Sequence, residues 1–284
     1  MKNRSIFCCL VAALSLVAIT DLNAQFSERA SQSCVDKPMD GIYSSGISER
    51  APLAFAHLEE RDVLWEKRIW REIDVKEKRN HHFASPNRFF INILLEGLEA
   101  KTIRAFSAEN ENFTKEIAFD DIKKILNTSD TIEVEDPVTG DISLMPITNN
   151  FDPMNVVKYR IKEVVYFDAK NGQMNTRILG IAPIVNLTDN QGNHVATTAL
   201  CWFYYNDLRP LLSKEAMTSD ASDLRDFSWD DVFQARVFAS LITKESNVKD
   251  VRLQDQHSGM AVLHESEKIK ENIRNIEADF FGEN

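Results

Sequence analysis

Apolar and polar residues alternate in different rhythms along the chain. The first 24 residues carry Lys2 and Arg4, an apolar stretch from Ile6 to Ile19 broken by Ser15, and Leu22-Asn23-Ala24 at the end. A positive start, a short apolar run and a small residue at the cut predict a signal peptide over residues 1–24. The run is shorter than the roughly 20 residues of a transmembrane helix, and no later stretch is long and apolar enough for one. Gln25–Pro52 is rich in Ser with scattered Gly and Pro and has no sustained period. It reads as an extended N-terminal arm, taken to residue 60 and ordered on a partner.

From residue 61 the pattern predicts folded elements. Arg61–Arg79 mixes many charges with Trp65, Ile69, Trp70 and Ile73. Ile69 and Ile73 stand four apart, which predicts an opening helix followed by an extended stretch. Ser85-Pro86 predicts the start of a second helix with Phe90, Ile93, Leu94, Gly97 and Leu98 on its apolar side. Short strands are expected over Thr102–Phe106 and Phe113–Phe119, then a helix capped by Asp120 and carrying Ile122, Ile125 and Leu126. Thr131–Glu135 and Asp141–Met145 flank a Pro/Gly turn and predict a hairpin.

The clearest alternation is Val157, Tyr159, Ile161, Val165 and Phe167, a row interrupted by Glu163. Asn171-Gly172 predicts a hairpin turn. A second strand over Thr176–Val185, ended by Pro183, and a third over Val195–Tyr205 complete an antiparallel meander. Ser228 and Asp231 predict a capped helix continuing through Phe233, Val237 and Leu241. A final amphipathic helix carries Val262, Ile269, Ile273, Ile276 and Phe280. The expected architecture is one α+β domain over 61–284, a central antiparallel meander with flanking helices.

Composition changes this picture little. The 284 residues carry a formal net charge of -11, with 44 acidic and 33 basic residues. That balance argues against nucleic-acid binding, which needs excess Lys and Arg, and against direct insertion into an anionic membrane. Past the leader only Cys34 and Cys201 remain, the candidates for a disulfide in an oxidising compartment, with two separate thiols as the alternative. No zinc-ligand spacing, nucleophile elbow or phosphate loop occurs, so no catalytic residue, metal or cofactor is assigned. Asp120-Asp121 and Asp230-Asp231 fall at helix starts, where capping explains acids. Asp130-Thr131-Ile132 has the form of a short O-glycosylation site of exported Bacteroidetes proteins, with Thr131 as acceptor. The aromatic run Trp202, Tyr204, Tyr205 offers a stacking platform for a glycan or small ligand. Alternation, though, puts Trp202 and Tyr204 opposite Phe203 and Tyr205, so one set belongs to the core. Trp65, Arg68, Trp70 and Arg71 have two readings: tryptophans plugging the core beneath a solvated surface, or anchors of a docking surface.

Several runs together resemble the PorN/GldN family of the type IX secretion and gliding machinery. They are DVLWEKRIWREIDVKEK from Asp62, EDPVTG from Glu135, YRIKEV from Tyr159, RILGIAP from Arg177, WFYYNDLR from Trp202, FSWDDVF from Phe227, KESNVKD from Lys244 and LHESEKIK from Leu263. They fall in order over most of the chain. His81-His82 and Cys201 depart from the pattern. The resemblance implies a periplasmic, non-enzymatic subunit that self-associates in a ring with the outer-membrane lipoprotein PorK/GldK. It implies contact with the periplasmic domain of PorM/GldM, coupling the PorL/PorM motor to secretion across the outer membrane. On that reading Trp65, Arg68, Trp70 and Arg71 face a partner. A periplasmic ligand- or glycan-binding protein is the alternative.

Overall fold

The computed structural model describes residues 46–126, 129–135, 142–148, 151–188, 194–217 and 227–282. The leader, most of the arm and Cys34 lie outside them. In chain order the strands are β1 (Val63–Asp74), β2 (Ala105–Phe106), β3 (Glu116–Ile117), β4 (Ser129–Glu135), β5 (Ile142–Thr148), β6 (Val156–Asp168), β7 (Gln173–Thr188), β8 (His194–Ala199), β9 (Trp202–Tyr204) and β10 (Leu241–Glu245). The helices are α1 (Phe90–Glu99), α2 (Phe119–Leu126), α3 (Tyr205–Leu212), α4 (Trp229–Gln234), α5 (Leu253–Gln256) and α6 (Met260–Gly282).

The fold is α+β. An antiparallel sheet runs β10-β1-β6-β7-β9-β2-β3, with β8 also on β7. β4 and β5 form their own hairpin, Thr131 opposite Pro146. The β6–β7 turn is the expected one: Gly172 sits at φ 62, and the Asp168 carboxylate accepts the Lys170 N–H and the Asn171 amide.

The opening helix is not formed. Residues 63–74 are a strand, and Ile69 and Ile73 share a face because a period of two also separates them by four. Between them on that face stands Arg71, the polar residue that made alternation hard to see. The α1 helix begins at Phe90, not at Pro86, with Phe89 at its N-cap. The strand expected over Phe113–Phe119 shrinks to Glu116–Ile117, because Phe113 takes φ 54 and turns its ring into the molecule.

Pro183 does not end β7, which runs on to Thr188. Its carbonyl accepts the Leu200 N–H, so its missing N–H faces the same side, where the neighbouring chain breaks between β8 and β9. That break also divides the expected third strand, and Tyr205 opens α3 instead of closing a strand. The capping box at Ser228 is present, each bond 3.1 Å. But α4 stops at Gln234, since Arg236 adopts φ 55, and Leu241 starts β10.

Helices cover one sheet face over an aromatic core of Phe83, Phe90, Tyr159, Trp229 and Phe233. α6 covers a second cluster, Ile69, Val165, Ile242 and Ile269. Trp70, Phe106, Ala182 and Trp202 pack on the opposite face beneath Phe113 and Tyr204. At the β10 end of the sheet, the Ile242 N–H donates to Ser266 Oγ of α6 at 3.1 Å.

Candidate functional site

Alternation along β1 sends its candidate partner residues to both faces. Trp65 and Arg71 share the helix-covered face with Lys67, Ile69 and Ile73; Arg68 and Trp70 share the other. Trp65 is half-buried against the cluster under α6. Arg71 reaches Glu163 at 2.5 Å, and Arg236 holds the other carboxylate oxygen at 2.5 Å. Glu163, the break in the apolar row, is thus fully buried between two guanidinium groups. Trp70 is buried, with the Lys244 ammonium 4.2 Å and the Lys162 ammonium 5.6 Å from its ring centre. Both lysines lead to Glu111: Lys162 donates to its backbone carbonyl and Lys244 to its carboxylate, at 2.5 and 3.2 Å. Burial pushes the Lys162 ammonium below the usual lysine range, against the attraction of Glu111. Of the four, Arg68 alone is exposed.

Beyond Trp70 that face continues into Glu72, Lys158 and Arg160. Burial disfavours the Glu72 carboxylate, but hydrogen bonding and charge from Arg160, with help from Lys158, hold it below the usual range. These residues border a shallow concavity reaching Thr197, Thr198 and Arg252.

The aromatic run from Trp202 lies inside. Trp202, Phe203 and Tyr205 are almost completely buried, Trp202 and Phe203–Tyr205 on opposite faces as alternation predicts. Of the expected glycan platform, Trp202 and Tyr205 are interior on opposite faces and Tyr204 is half-buried. Cys201 is fully buried, and desolvation raises its thiol well above the usual range. Among the described residues no group of His, Cys, Asp and Glu is arranged to hold a metal ion. No described helix is long and apolar enough to cross a membrane.

A second polar constellation escaped the sequence reading. Arg209 pairs with buried Asp230 through Nε at 3.1 Å and Nη2 at 3.2 Å, and Tyr205 donates to the same carboxylate at 2.9 Å. Arg177 stands nearby on β7. Both arginines reach the Phe55 ring, the Arg209 guanidinium at 4.0 Å and that of Arg177 at 4.6 Å. Arg177 and Arg209 stand at the ends of the runs RILGIAP and WFYYNDLR, and Asp230 lies within FSWDDVF.

The family described as gliding motility associated protein GldN matches residues 58–282, most of the chain and nearly all of the folded body. The chain belongs to the GldN family. No curated protein matches it. Membership makes it a protein associated with gliding motility and type IX secretion, in a family of structural secretion components rather than of known enzymes. Within the GldN match fall all eight runs quoted above, together with the buried Glu163 triad and the Arg209–Asp230 pair.

Proposed function

We propose that this GldN-family chain is a non-enzymatic structural subunit of the periplasmic ring of the type IX secretion system. It assembles with a PorK/GldK-like outer-membrane lipoprotein, which holds it at the outer membrane, and couples through a PorM/GldM-like periplasmic domain to the PorL/PorM motor. The family match over residues 58–282 carries this reading. The structure supports it by the way charge is used: the buried carboxylates Glu163 and Asp230 are each matched by arginine, which stiffens a scaffold rather than freeing a group for proton transfer. For the partner surface we propose the face of β1 that carries exposed Arg68 as the contact, with buried Trp70 on the same face beside it and Trp65 and Arg71 bracing the strand from the helix-covered face.

Co-expression with the lipoprotein from the same genome, followed by size exclusion and electron microscopy, tests the reading. A co-eluting assembly of ring-shaped particles is expected. A monomer that ignores a folded lipoprotein would refute it. Within that assay, Arg68→Glu is expected to weaken lipoprotein capture at least tenfold; unchanged capture would move the contact elsewhere.

A further inference from the structure

The segment before β1 is bound to the body in an unusual way. Ser213 Oγ donates to the Arg50 carbonyl at 3.1 Å, Arg209 Nη2 to the Leu53 carbonyl at 2.5 Å, and Arg177 Nη2 to the Ala56 carbonyl at 3.3 Å. Acceptors three residues apart match the repeat of an extended polyproline-type helix, and Pro52 suits such a backbone. Residues 51–58 form no backbone–backbone hydrogen bond to another described residue. The strap is held by side chains reading its carbonyls, by Phe55 against two guanidinium groups and by an Arg50–Asp231 pair at 3.2 Å.

The seat does not depend on the strap for its shape. Arg209 is fixed by Asp230 whether or not Leu53 is present, and Arg177 also lies over Tyr166 at 5.8 Å. The strap lies N-terminal to the body, so it can leave its seat without unthreading any other element. Only residues 57–62 tie it to β1, mostly exposed and with one short 3-10 turn. Six extended residues span roughly 20 Å, enough to reach an adjoining molecule. The seat lies inside the GldN match, while the strap precedes it.

We propose that the seat is an exchange site: residues 50–56 of one copy of this chain occupy the Ser213–Arg209–Arg177 seat of the next copy. The contact is head-to-tail, the kind that closes into a ring when its rotation permits. The same contacts serve within a chain and between chains, so high local concentration drives the exchange. This inference rests on the ring reading above and names one of its joints.

Two variants test it in the full mature chain, co-expressed with the lipoprotein. Phe55→Gly spoils the strap by removing the ring that the two arginines hold, and Arg177→Glu spoils the seat without touching the buried Arg209–Asp230 pair. Each alone is expected to lose assembly. Mixed, they are expected to form one-to-one dimers and stop there, since only one of the two joints around each molecule is sound. A mixture indistinguishable from its separate components, or either variant assembling like the parent, would overturn the exchange. A second measurement leaves the strap and seat contacts intact. Leu53, 81% exposed, is replaced by p-benzoylphenylalanine in both ordinary and 15N-labelled chains, which are mixed before assembly and irradiated. Strap–seat cross-links that join light to heavy peptides are expected. Light–light and heavy–heavy links alone, in particles that do assemble, would sink the exchange and leave the ring reading standing. Chains that never assemble would sink both.

Discussion

The ring of Phe280, near the end of α6, stacks on Phe167 at the end of β6, with centroids 4.2 Å apart and planes 17° apart. This contact fastens the last turns of a 23-residue helix to the tip of the longest hairpin in the sheet. Upstream the helix is held by Val262, Ser266 and Ile269, all buried; from Ile273 to Phe280 its contacts are at most half-buried. Phe280→Ala is therefore expected to cost about 1–2 kcal/mol and to act locally. Hydrogen exchange checks this: amides of residues 274–282 lose protection while those near Ser266 keep theirs.

Glu163 is the charge with most to lose. Removing one partner of a buried ion pair costs about 3–5 kcal/mol, and the partial exposure of Arg71 and Arg236 brings the expectation for Glu163→Gln to about 2–4 kcal/mol. Urea denaturation measures it. A loss below 1 kcal/mol would show that the two arginines find other partners at little cost.

His82 supplies the pH dependence. Burial beside Phe83 and Trp229, with the charge of His81 adding to it, lowers its pKa to about 4 from the usual 6.5. The folded protein keeps this imidazole neutral while the unfolded chain protonates it. Its stabilising share is complete above pH 6.5, falls as pH drops from 6.5 towards 4, and changes no further below that. Partial solvent access limits the loss to about 2 kcal/mol. In His82→Gln the stability curve is expected to flatten over that window.

Gly180 stands where a side chain has no room. A Cβ there would lie 2.5 Å from the Phe113 ring and 2.9 Å from the Phe203 carbonyl oxygen. Gly180→Ala is expected to cost about 1–3 kcal/mol in thermal or urea unfolding. Adding Phe113→Ala removes only the ring clash, so the double variant is expected to fall short of the additive cost without reaching that of Phe113→Ala alone.

The glycine in RILGIAP shows what a sequence holds and what it hides. The run reads at once as a buried strand, and so does the meander from Val156 onward, because apolar residues recur with a clear period and Asn171-Gly172 marks the turn. Why position 180 must be glycine depends on Phe113, more than sixty residues away in a loop of no fixed period. The strand β1 hides its period for a related reason. Its face carries Lys67 and Arg71 among Trp65, Ile69 and Ile73, and these polar positions make sense only once Glu245 and Glu163, both opposite Ile69 on the neighbouring strands, pair with them diagonally. The end of α4 depends likewise on Arg236, whose left-handed backbone breaks the helix while its side chain meets Glu163. For the candidate site, the density of Trp and Arg was legible. Which of those side chains lie outside was not, because alternation within one strand sent them to two faces.

The bond from the Ile242 N–H to Ser266 has a bearing on how copies of this protein share space. Unpaired strand edges recruit strands from other molecules, and the danger grows with crowding. At the β10 margin of the sheet a helix hydroxyl takes a hydrogen that a foreign strand would seek; at the β3 margin the strand is two residues long. Both margins discourage sheet-to-sheet aggregation. A serine in the last helix thus helps keep neighbouring molecules from joining through their backbones.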